Sequence, residues 1–112
     1  MGKEYTYFTN KEVKGLDERF IHWLEVARCL ADVPFVITSG KRTKKKNEGA
    51  KNSAHFRGLA VDIRCSTSTK RWKILDALFE VKFRRIGIYD RHIHVDADPS
   101  LPQRVVWTGI SK

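Results

Sequence analysis

The sequence predicts a small α+β domain. Three observations lead there: two stretches with helical apolar spacing, five short β-prone runs, and the crowding of the last three runs near the C-terminus, where hairpins would join them. The chain has 112 residues, 41% of them hydrophobic, with three Trp, six Phe and three Tyr. That is enough for one core and too little for two, so residues 1–112 are expected to form a single domain. There is no repeat, no low-complexity tract and no Pro/Gly linker to divide it.

Thr9 to Glu12 has the form of a capping box opening a short helical turn. From Leu16 to Leu30, apolar residues at Leu16, Phe20, Trp23, Leu24, Ala27 and Leu30 predict an amphipathic helix with that stripe turned inward. Pro34 closes the connection, and Phe35–Ile37 reads as a short buried strand. Residues 39–53, SGKRTKKKNEGAKNS, are cation-rich and nearly devoid of apolar side chains, as expected of a solvated loop. A loop of that length in so small a domain is usually functional or disordered. Leu59–Arg64 returns to strand, with Gly58 permitting the turn before it. Ser68 or Thr69 is expected to cap a second helix with Trp72, Leu75, Leu78 and Phe79 inside. Strands at Arg85–Tyr89, His92–Ala97 and Arg104–Thr108 complete the set.

Composition narrows the function classes. Lys and Arg number 22 against 13 Asp and Glu, a net charge of +9. Such an excess suits a polyanionic partner, whether an anionic cell wall, a membrane surface or nucleic acid; it also serves plain solubility. A specific nucleic-acid role lacks support, because no aromatics interleave the cations of the basic loop. No stretch approaches the roughly 20 apolar residues of a membrane span. The N-terminus has no apolar signal segment, so the chain is expected to be made in the cytoplasm, with any action outside needing another route. Cys29 and Cys65 have no CxxC spacing; each reads as a reduced small hydrophobe without an assigned role.

The chemistry gathers in two strands. Side chains alternate along a strand, so in RHIHVDAD Ile93, Val95 and Ala97 face one way and His92, His94 and Asp96 the other. In LAVDIR, Leu59, Val61 and Ile63 face the core, while Ala60, Asp62 and Arg64 share the opposite side. If the strands are neighbours, Asp62 and His94 meet, and His55 can fold back over them. Two imidazoles, one carboxylate and an open fourth position form the donor pattern of a catalytic zinc site. A lone His or an H-x-H pair is weak by itself, since most such histidines are ordinary ones.

The combined string resembles a known family. Phe35-Val-Ile-Thr-Ser-Gly-Lys-Arg-Thr43, Asn47, Ser53-x-His55-x-x-Gly58-x-Ala60-x-Asp62 and Ile93-His-Val-Asp96 resemble the zinc D-Ala-D-Ala carboxypeptidases and L-alanyl-D-glutamate endopeptidases. The wider group includes lysostaphin-type peptidases and the amino-terminal domain of Sonic hedgehog. The resemblance runs from about Phe8 to Trp107. It implies a hedgehog/D,D-peptidase-like fold, with an antiparallel sheet, helices on one face and one zinc per chain on the other. It implies His55, Asp62 and His94 as the zinc ligands, Arg42 as the group that polarises the scissile carbonyl, and Ser53 as part of the substrate site. Outside the motif, Arg42 would be one more solvated cation and Ser53 an ordinary loop serine. The implied substrate is a peptidoglycan stem peptide, with anionic wall polymers as possible partners of the basic loop.

The general base departs from the pattern. Several relatives carry an acid three residues before the last zinc histidine, where this chain has Arg91. Asp90 is one replacement, or a plain turn former. His92, about 7 Å from His94 along the strand, is the other, as an active-site acid or donor. Asp96 reads as a supporting or structural residue, and His22 as incidental. The expected function is a monomeric zinc peptidase of the cell wall, in the manner of a phage endolysin or virion lysin. A zinc-containing binding module of the same fold is the alternative. Which peptidoglycan bond is cut stays open.

Overall fold

The computed structural model describes residues 5–40 and 57–111. In the first segment, Thr9 and Glu12 form the expected capping box: the Thr9 backbone N–H donates to Glu12 Oε1 at 2.8 Å and the Glu12 N–H to Thr9 Oγ1 at 3.1 Å. It organises a turn that sends Phe8, Val13 and Leu16 into the core.

Helix α1 spans Glu18–Ala31 and is capped by Asp17, whose carboxylate accepts from the Phe20 N–H at 3.0 Å. Phe20, Ile21, Leu24, Ala27 and Ala31 are buried. The expected stripe was one residue out of phase at two points: Trp23 and Leu30 are 48% and 55% exposed. Phe20, Leu24, Ala27 and Ala31 follow the i, i+4, i+7, i+11 line, and Trp23 and Leu30 sit roughly 70–90° round the helix from its centre. Helix α2, Ser68–Glu80, shows the same kind of shift. Its cap is Thr67, in extended conformation, rather than Ser68 or Thr69, and Ile74, Ala77 and Leu78 form its inner side. Trp72 and Phe79, expected inside, are 67% and 49% exposed.

Five strands form one sheet in the order β1-β2-β4-β3-β5. These are β1 (Ile37–Ser39), β2 (Ala60–Arg64), β3 (Arg85–Tyr89), β4 (His92–Asp96) and β5 (Val105–Gly109). The first thus starts two residues later than the apolar run suggested, because it pairs with β2 in the register Ile37↔Ile63. The sheet is mostly antiparallel, as expected, with one exception: β5 lies parallel to β3. Both edges of β4 are occupied by β2 and β3. The chain leaving β4 therefore passes β3 and docks on its free edge, antiparallel to β4 in direction and so parallel to β3.

Val61, Ile63, Ile86, Ile93 and Val95 share one core with Phe20, Leu24, Ile74 and Leu78 from the helices. The helices thus cover one face of the sheet. Gly58 sets the entry to β2: its φ is +72°, and a Cβ there would come within 2.4 Å of the Gly15 carbonyl oxygen. The Asp17 N–H donates to the Gly58 carbonyl at 2.8 Å, so the helix start and the strand start are fixed to each other.

Candidate metal centre on the face opposite the helices

Strand register writes the opposite face in three rows. The middle row runs Asp62, His94, Gly87, Trp107 across β2, β4, β3 and β5. Ala60, Asp96, Arg85 and Val105 form the row on one side, and Arg64, His92, Tyr89 and Gly109 follow on the other. The alternation read from sequence holds: Val61 and Ile63 enter the core, and Asp62 points away from it, though it is covered to 7% exposure.

Asp62 and His94 are direct cross-strand partners. His94 Nδ1 lies 3.0 Å from Asp62 Oδ1, and Nε2 lies 2.8 Å from Asp96 Oδ2. Asp96 is itself 1% exposed and receives Arg85 Nε at 2.8 Å and the Asp98 N–H at 3.2 Å. Burial works against charge on the His94 ring, but the hydrogen bonds and charges of Asp62 and Asp96 outweigh it, and the His94 pKa is raised. His92 shares the face: its Nε2 is 3.9 Å from Asp62 Oδ1, its Nδ1 is 3.0 Å from Ser111 Oγ, and its ring stacks on Tyr89 at 4.4 Å.

This arrangement fits a metal in part. A histidine that ligates through one nitrogen normally gives the other to a carboxylate or carbonyl, which fixes the ring and its tautomer. Asp96 does that for His94 and leaves Nδ1 beside the Asp62 carboxylate. Among the described residues no three His, Cys, Asp or Glu side chains converge to hold a metal. His55, the third ligand implied by the motif, lies outside the described residues, as do Arg42 and Ser53.

Asp90 sits in the β3–β4 turn. Its Oδ1 accepts the Ser111 N–H at 2.6 Å, and that bond, chiefly, holds its carboxyl below the usual carboxylate range. Arg91 is 78% exposed at its side chain, 3.7 Å from the Asp90 carboxylate.

Several residues of this face escaped sequence reasoning. Trp107 lies flat over Gly87, where a Cβ would come within 2.6 Å of the indole. It approaches His94 with ring centres 5.4 Å apart, donates its Nε1–H to Tyr89 Oη at 3.1 Å, and carries the Arg85 guanidinium 5.1 Å from its ring centre. Arg57 pairs with buried Asp98 through Nε at 2.9 Å and through Nη2. No local signal marks these partners; only the alternation of β3 and β5 could have put Arg85, Gly87 and Trp107 on one side. The other histidine, His22, lies on α1 beside Trp23, away from the sheet.

The family model described as Peptidase M15 matches residues 3–96, most of the chain. The chain belongs to the peptidase M15 family. Membership supports a metallopeptidase as the general class, which agrees with the sequence resemblance and with the α+β fold. The matched part of this M15 domain ends at Asp96, so β5, with Trp107, and Ser111 lie beyond it. No curated protein sequence matches the M15 chain at a significant level.

Proposed function

We propose that the chain is a zinc metallopeptidase that hydrolyses peptide bonds in bacterial peptidoglycan stem peptides, as a D-Ala-D-Ala carboxypeptidase or an L-Ala–D-Glu endopeptidase. The observation that carries this is the His94 ring, with Nδ1 turned to Asp62 and Nε2 held by the buried Asp96. His55, Asp62 and His94 would hold one zinc per chain. Zinc there supplies Lewis acidity: it polarises a carbonyl and makes water acidic enough to ionise near neutral pH.

The remaining work falls to the protein. Asp96 keeps the Nε2 proton of His94 and orients the ring. Arg42 binds the scissile carbonyl and stabilises the negative charge that develops on its oxygen. Ser53 helps hold a terminal or backbone group of the peptide. We assign His92, whose Nε2 faces Asp62, as the active-site acid or donor; Asp90, whose carboxylate is engaged by Ser111, is weakened as a base. The net charge of +9 favours approach to anionic wall polymers. We place its action at the cell wall, as a monomeric single domain of the endolysin or virion-lysin kind. Among the described residues no helix is long and apolar enough to cross a membrane.

A second reading rests on Arg91, which stands where relatives have an acid: a zinc-containing binding module that has lost turnover. One digest separates the two. Purified protein is incubated with peptidoglycan with and without chelator, and new amino and carboxyl termini are sought by mass spectrometry. We expect chelator-sensitive cleavage, with product masses naming the bond. Zinc-loaded protein that binds peptidoglycan yet cuts none of its chemotypes would favour the binding module.

A further inference from the structure

We infer that Ser111 is a positioning residue that fixes His92 in its Nε2–H tautomer, with that proton directed toward the Asp62–His94 pair; the inference rests on the assignment of His92 above. Ser111 follows β5 and lies beyond the family match, yet it meets the catalytic hairpin at three points. Its N–H donates to Asp90 Oδ1 at 2.6 Å, its Oγ accepts the Arg91 N–H at 3.4 Å, and its Oγ lies 3.0 Å from His92 Nδ1.

Asp62 and Ser111 together set the direction of the last bond. A carboxylate only accepts, so the Asp62 oxygen facing Nε2 favours the proton there, and the Ser111 O–H can donate to the bare Nδ1 while its oxygen accepts from Arg91. A neutral imidazole that accepts at Nδ1 carries its proton on Nε2. That nitrogen is the one 3.9 Å from the Asp62 carboxylate, and an N–H there is oriented to donate into the site. Tyr89 fixes the ring plane, stacked at 4.4 Å with only 10° between planes, and Trp107 holds Tyr89 through its hydroxyl. The ring can then rotate little, so the identity of the protonated nitrogen decides whether a donor or a lone pair faces the reacting groups. Asp90 belongs to the same device: by accepting the Ser111 N–H it holds the serine where its hydroxyl reaches His92.

The test is a two-bond proton–nitrogen NMR spectrum of the full chain at about pH 8.5, where an ordinary imidazole is neutral, with His92→Gln to assign the signal. We expect wild-type His92 as the Nε2–H tautomer and Ser111→Ala as a mixture of both. In the peptidoglycan digest, Ser111→Ala should lower kcat by about 10- to 100-fold, the size known for partners that orient a site histidine, with KM and zinc content unchanged. Ser111→Thr, which keeps the hydroxyl, should restore most of the rate and the single tautomer. A wild-type ring protonated on Nδ1, or a Ser111→Ala protein with unaltered tautomer, would overturn the inference. If the wild type cuts nothing, the peptidase reading fails, while the tautomer measurement still decides the role of Ser111.

Discussion

Asp62, on the interior strand β2, and Asp98, just after β4, are both buried carboxylates, 7% and 1% exposed, and their partners make them opposites. Asp98 faces an arginine: Arg57 reaches it from the end of the basic segment, and Ser100 donates to it from N–H and hydroxyl at 2.9 and 2.6 Å. Asp62 faces histidines, His94 at 3.0 Å and His92 at 3.9 Å. An arginine has no proton to give in ordinary chemistry, so the Arg57–Asp98 pair lasts as long as the carboxylate is ionised and is structural. An imidazole can give up its proton, and then the same carboxylate and the same nitrogen become two donors for a cation. Chemistry can develop at the first Asp and not at the second because of the residue type opposite each.

Substitutions can break that contrast, beginning where the effect is largest. Asp62→Asn should remove bound zinc and abolish peptidoglycan cleavage, a loss beyond the roughly 10- to 100-fold typical of residues that only support a ligand. Metal content by atomic absorption and the digest measure it; unchanged zinc affinity would mean that Asp62 is no ligand. Asp96→Asn should weaken zinc binding by about 10- to 100-fold through the freed His94 ring, and it also weakens the bond to Arg85. A competitive chelator titration reads that shift.

Asp98→Ala should act on stability instead. Losing charged hydrogen bonds to Arg57 and Ser100 should cost about 2–3 kcal/mol, seen as a lower urea midpoint, while zinc affinity of the folded protein holds. Its pH profile carries a sign. Burial alone would raise the Asp98 carboxyl, but the Ser100 bonds and the Arg57 charge prevail, and its pKa is lowered. A depressed folded pKa stabilises the fold above the unfolded value of about 3.9 and loses that contribution as pH falls through the folded value. Stability of the wild type should therefore fall in acid more steeply than that of Asp98→Asn, in urea titrations from about pH 5 downward. The smallest effect should come from Arg91→Ala. Its pair with Asp90, at 3.7 Å, is exposed and screened by solvent, and thermal melts should barely move.

How much was legible differs by element. β3 was read residue for residue as Arg85–Tyr89, because its run is short, β-branched and bounded by turn signals. The helices were found and their faces partly misjudged: Trp23, Leu30, Trp72 and Phe79 were assigned inward for being large and apolar, and all four are between 48% and 67% exposed. Hydrophobicity marks a helix but fixes its rotation only to within one position, and packing on the sheet chooses Ile21, Ala31, Ile74 and Ala77 instead. On the candidate site, the alternation of LAVDIR and HIHVD was enough to turn Asp62 away from the core on its strand and to put His92 and His94 together on theirs, and their meeting depended on the two strands being neighbours. His55, Arg42 and Ser53 rest on the motif.

The sequence by itself determined the class of the fold, the spacing of its metal-competent residues and the family to which they belong. Period-two alternation and motif order are local properties that survive without coordinates. The tertiary structure alone decided that β2 lies beside β4 in the register pairing Asp62 with His94, and that β5 returns along β3 to bring Trp107 and Ser111 to the same face. It also decided that Asp96 is tied between His94 and Arg85. Those choices depend on which strand edges remain free once the core has formed, and no local pattern encodes that.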